Sequence, residues 1–166
     1  MNRQSVLALF DYSYWATWSI LAAVQRIPLS EFAAPPTITW RNVRDTLVHT
    51  LDVEQSWRRR IQGSDRSVWD AELTSDRYTT PAALEADWRK DAGEMRSWLL
   101  TLDDDAIDAI AGLGEGNRFP LWHVLVHIVT HSIEQRRDVA LQLRDLGHEP
   151  PQLEFLWYSD ALAERS

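Results

Sequence analysis

Apolar side chains at Val6, Leu9, Phe10, Tyr14, Ala16, Trp18, Leu21 and Val24 recur at three- and four-residue steps, the period that returns side chains to one face of an α-helix. The run predicts a helix over residues 4–26 that stops before Pro28, because proline cannot continue the hydrogen-bond ladder. Residues 29–37 carry Pro35-Pro36 and read as a connection. Trp40, Val43, Leu47, Leu51, Trp57 and Ile61 repeat the same steps. They predict a second helix over 39–62, capped by Thr39 and ended by Gly63. From 63 to 79 the chain is polar and aperiodic, a long surface connection. Thr80-Pro81 opens a third helix over 81–102, with threonine as cap and proline in the first turn. Its apolar face runs through Leu84, Trp88, Met95, Trp98 and Leu102. Asp103-Asp104-Asp105 then caps a short turn reaching Ile110; a calcium loop would need alternating oxygen ligands and a closing glutamate. Pro120 starts a fourth helix over 120–146, carried by Leu121, Val124, Leu125, Ile128, Val129, Ile133, Val139, Ala140 and Leu143. Gly147 and Pro150-Pro151 end it, and residues 153–162 are apolar enough to pack as a last short segment. Four long helices without a strand pattern predict an all-α fold, a four-helix bundle with a short C-terminal segment, as a single domain spanning 1–166.

Composition narrows the chemistry. The chain of 166 residues has nine tryptophans and no cysteine, so large rings can fill one core, while disulfides, thiolate metal ligands and a cysteine nucleophile are excluded. That absence fits a reducing compartment. A net charge of −8 argues against nucleic-acid binding, which draws on clustered Lys and Arg. The one basic run, Arg58-Arg59-Arg60, reads as a solvated helix end whose cations complement the helix dipole. No uninterrupted apolar run approaches the ~18 residues of a membrane span, so a cytoplasmic protein without membrane contact is expected. Gly112, Gly114 and Gly116 are loop glycines, since the strand and phosphate-cradling helix of a nucleotide fingerprint are missing around them. The apolar excess of Trp15, Trp18 and Trp157 predicts a homodimer.

Five histidines stand at 49, 123, 127, 131 and 148. His123, His127 and His131 are spaced by four and form one stripe on the fourth helix. Imidazole is the commonest metal ligand, and bundle interiors hold metal with side chains from facing helices. His49, among Leu47, Val48 and Leu51, is placed to meet that stripe from the second helix. His49 and His131 are either metal ligands or hydrogen-bonded histidines of a partly polar core. His127 reads as a core or supporting residue, His123 as a rim residue and His148 as a loop residue. No Gly-x-Ser-x-Gly and no Glu-x-x-His occurs, which removes a serine triad and a di-iron carboxylate site from consideration.

The stretch from Pro120 to Ala140, the following Leu-Arg-Asp-Leu-Gly-His-Glu-Pro-Pro and the closing Leu153-Glu154-Phe155-Leu156-Trp157-Tyr158 resemble the last helix and tail of the DinB/YfiT-like family. Val43 to Trp57 and the opening Tyr12-Ser-Tyr-Trp-Ala-Thr-Trp are similar to the family's second and first helices. The resemblance implies a divalent metal (zinc, nickel or manganese) held by one second-helix histidine and two fourth-helix residues four apart. Carried over, those positions are His49, His131 and 135, where Gln135 stands; Arg136 matches the family's usual arginine, so the register holds. An amide oxygen is a much poorer partner than imidazole for zinc-like ions. His127, one turn earlier, is a possible substitute, and Glu134 or Glu54 can supply a carboxylate or orient an imidazole. In function the resemblance implies a metal-dependent hydrolase or thiol transferase acting on an unknown small molecule, a thiol among the candidates. The metal would lower the pKa of a bound thiol or water, and Glu54 would move protons as a catalytic group. The alternative, favoured by Gln135, is a non-catalytic, metal-free helix bundle acting as a ligand-binding or dimer-forming protein.

Overall fold

Each long apolar period becomes a helix with an identifiable start and stop. The computed structural model describes residues 1–113 and 118–164. In chain order it forms α1 (Arg3–Val24), α2 (Leu29–Phe32), α3 (Val43–Ile61), α4 (Arg66–Trp69), a 3-10 turn (Ser75–Arg77), α5 (Pro81–Leu99), α6 (Asp104–Asp108), α7 (Leu121–Asp145) and α8 (Phe155–Ala163). Among the described residues there is no strand, and one isolated antiparallel bridge joins Ile110 to Pro120. Asn2, Thr80 and Asp103 cap α1, α5 and α6, each side chain accepting a backbone N–H of the first turn, which satisfies donors a helix start leaves open. At the other ends of α3 and α7, Gly63 and Gly147 adopt φ of 81° and 84°. There Ser64 N–H reaches Arg59 O and His148 N–H reaches Leu143 O, the closure that a left-handed residue makes possible.

Two expectations about α3 are corrected. Its cap is Asn42, whose side chain accepts from Asp45 N; Thr39 lies outside the helix and donates to Arg41 O. Trp40 is therefore not a core position but a 95% exposed ring. The basic run is also not a solvated helix end throughout, because Arg58 is buried and bonded to Asp91 of α5. Arg60 spreads over the Trp57 and Trp69 rings and donates to Leu113 O. The count of four covers only the long helices: short helical turns occupy both expected connections, and these bury Phe32 and Tyr78. Gly112 lies in a connection as expected, while Gly114 and Gly116 fall outside the described residues.

α1 packs on α5 and α7, and α3 packs on the same two helices. The apolar core inside is split. One cluster gathers Ile20, Leu21, Val24, Leu47, Leu51, Leu84 and Leu143; the other gathers Val6, Phe10, Met95, Leu99, Leu121, Leu125 and Ile128. Between them along the helices lie buried polar residues: Ser13 and Thr17 on α1, Glu54 and Arg58 on α3, Asp91 on α5, Ser132 and Arg136 on α7. A polar layer in a core survives only if its groups satisfy one another.

Trp15 and Trp18, expected among exposed rings, are half-buried. Trp15 packs on Tyr12 and Tyr158, and Trp18 lies between Tyr14 and Arg89. Trp157 remains 56% exposed. No helix of the described chain is long and apolar enough to cross a membrane.

Candidate functional site

His49 reaches the α3–α7 seam because Leu47, Val48 and Leu51 turn α3 toward α7, and His131 faces it from between the buried Ile128 and Ser132. Their ring centroids lie 5.3 Å apart at 72°, and the His127 ring stands 6.3 Å from His131. Both members of the pair are half-buried. Burial first, then the neighbouring His49, His127 and Arg41, lowers the His131 pKa to about 4. Burial and Arg41 also lower that of His49. The two imidazoles are thus neutral at pH 7, each with one lone-pair nitrogen. His131 Nδ1 is buried without a hydrogen-bond partner, a cost that buried polar atoms ordinarily avoid.

The residues present fit a divalent cation only in part. Two neutral imidazoles are proper nitrogen donors, and the orphaned His131 nitrogen is the atom expected to gain from one. A resident zinc-type ion takes three or four protein ligands. Among the described residues no group of three His, Cys, Asp or Glu side chains is arranged to hold a metal. Gln135, half-buried one turn beyond His131, occupies the third place with an amide, and Glu134 is exposed. His127 is exposed too, its ring edge-on to Trp57 at 5.4 Å. With exposed His123, Trp57, Phe119 and Val124 it lines an apolar cavity of about 350 Å³. His148 does sit in the turn after α7, but its Nε2 lies 2.6 Å from Glu31 Oε2 and so ties that turn to α2.

Glu54 is 3% exposed. Trp88 Nε1 donates to its Oε2 at 2.8 Å, and Ser132 Oγ lies 2.6 Å from its Oε1. No imidazole contacts it within hydrogen-bonding distance among the described residues; its link to the histidine pair runs through Ser132, the neighbour of His131. Burial raises its pKa to about 7, against the opposing pull of Ser132, Trp88 and Arg136. Arg136 Nη1 donates to Ser13 Oγ at 3.1 Å and Thr17 Oγ1 at 3.0 Å. Asp91 accepts from Arg58 Nε at 2.8 Å, and burial still raises its carboxyl.

Reading the histidines alone missed Trp88, Ser132, Arg136 and the Arg58–Asp91 pair. A signal was present: Glu54 and Arg58 continue the stripe of Leu47 and Leu51, and Ser132 and Arg136 continue that of Leu125 and Ile128. Polar residues at core positions of an otherwise apolar stripe announce a buried network.

A family model described as the DinB family matches residues 1–166. Comparison with curated proteins gives no match.

Proposed function

The chain belongs to the DinB family over its whole length, and from that premise we propose that it binds a small thiol or similar donor-bearing ligand between α3 and α7. In this reading the ligand completes a site that the chain leaves one donor short, and the reaction class is thiol transfer or hydrolysis. The observation that carries it is the facing His49–His131 pair, with His131 Nδ1 buried and unpartnered. A cation bound there with the ligand would lower the pKa of a thiol or water at neutral pH. The chain's own contribution is to hold two imidazoles neutral, since burial disfavours their protonation. The cavity of Trp57, Phe119, Val124, His123 and His127 receives the ligand's apolar part. Glu54 acts through Ser132 as a positioning residue and proton store behind His131.

Cobalt(II) titrated into the protein with and without N-acetylcysteine tests this. A thiolate-to-cobalt charge-transfer band should appear only when protein, cobalt and thiol are all present, and His49→Ala or His131→Ala should remove it. No band with the wild-type protein, or a band that survives both substitutions, would leave the second reading. That reading, a metal-free ligand-binding bundle, is favoured by the lack of a third strong donor among the described residues.

A further inference from the structure

On the face of α7 turned away from the histidine stripe, Ile133, Arg137, Leu141 and Arg144 follow one another at spacings of four, four and three, which keeps them on one side of the helix. With Arg136 and Glu154 they line a groove of about 320 Å³ between α7 and the segment Pro150–Glu154. Tyr12 Oη donates to Leu153 O at 2.8 Å and pins that segment to α1. Three arginines against one glutamate in a chain of net charge −8 make a local field opposite in sign to the whole molecule.

No carboxylate among the described residues forms an ion pair with this cluster. Other arginines of the bundle are engaged: Arg58 by Asp91 and Glu94, Arg89 by Glu85, Arg96 by Asp11. The exposed guanidinium groups of Arg137 and Arg144 make no hydrogen bond or ion pair with a described residue, and Glu154 bonds to neither. Arg136, at the buried end, is 2% exposed, and its Nη2 has no acceptor. Its side-chain hydrogen bonds go to the neutral hydroxyls of Ser13 and Thr17 on α1, and no carboxylate of a described residue bonds it. A buried charged donor without a partner is rare and costly. Planar guanidinium groups are suited to carboxylate and phosphate oxygens.

We propose that the groove between α7 and Pro150–Glu154 binds a small amphipathic anion, an oxyanion headgroup held by the Arg136–Arg137–Arg144 cluster with an apolar body against Ile133 and Leu141. It lies on the opposite face of α7 from His131 and Gln135 and stands independently of the ligand proposed there. Glu154, at the rim, disfavours the anion and sets a ceiling on affinity.

Calorimetric titration with octanoate, octyl phosphate and octanol tests the groove and separates a carboxylate from a phosphate source. One of the two anions should bind saturably with Kd below ~1 mM. Arg137→Ala and Arg144→Ala should each weaken it by about tenfold, the size of a lost charge-assisted contact, while Glu154→Gln tightens it. All three positions are solvent-facing, and circular dichroism checks that each variant keeps the wild-type helix content and melt. No saturable binding of either anion, octanol binding as tightly, or affinities unchanged in both arginine variants would overturn the assignment.

Discussion

Ser132 has one hydroxyl proton and two acceptors in reach, Glu54 Oε1 at 2.6 Å and Ile128 O at 3.0 Å. If Glu54 is protonated it donates to Ser132, and Ser132 donates on to Ile128; if it is ionised, Ser132 turns its proton toward the carboxylate. Ser132 thus keeps a partner in either state, and desolvation outweighs the pull of Ser132 and Trp88 toward the ionised form, raising the Glu54 pKa from 4.5 to about 7. The folded state then binds a proton that the unfolded state has released. Stability from this group is fully present below about 4.5 and is lost as pH rises through about 7. The distance between the two values bounds the effect at about 3 kcal/mol. Asp91, also raised, acts in the same direction, whereas His49 and His131, lowered, contribute in the opposite one. Comparison with Glu54→Gln isolates the effect, because the amide can still meet Ser132 and Trp88. Denaturant melts from pH 4.5 to 8 should show the wild type losing stability relative to Glu54→Gln; a constant difference would mean that Glu54 is ionised throughout. Arg58 obeys a related rule. Arg58→Ala strands Asp91 in the core and should cost about 3 kcal/mol, against under ~1 kcal/mol for the half-buried Arg59→Ala, both read from urea midpoints.

Helix existence was legible in the chain, and helix boundaries were legible where one residue type dominates. Thr80-Pro81 and Asp103 start α5 and α6 as read, and Gly63 and Gly147 close α3 and α7. At α3 Trp40 extended the apolar period back and so placed the cap at Thr39. The three-residue step could not distinguish a ring inside the helix from one exposed just before it. Asn42 won because its side chain bonds Asp45 N while its carbonyl receives Thr46 N. Asn42→Ala should therefore lower stability by about 1 kcal/mol, with Thr39→Ala within ~0.5 kcal/mol of wild type. Equal losses in thermal melts would return the cap to Thr39.

Across the whole molecule, the pairing of α3 with α7 was expected from one histidine meeting a stripe, and the ring contact between His49 and His131 is now seen. The stripes mark Glu54, Arg58, Ser132 and Arg136 as buried polar positions, but not which of them pair, since the partners sit far apart in the chain and meet only when four helices close around them. The homodimer remains a proposal: Trp157 at 56% and Leu156 at 75% exposure on α8 motivate it, and a monomer in sedimentation equilibrium at high micromolar concentration would remove it. In the proposed site, Gln135 holds with an amide the third corner whose other corners are His49 and His131. A melt of Gln135→His with zinc or nickel tests it most directly. Metal at ~100-fold above Kd adds roughly 2.7 kcal/mol to a folded state that alone binds it, about 5–10 °C for a domain of this size. Gln135→His should gain a metal-dependent rise in Tm larger than the wild type shows, and adding His49→Ala should abolish the gain. No gain in the single variant, or a gain that persists without His49, would contradict the assignment of all three positions.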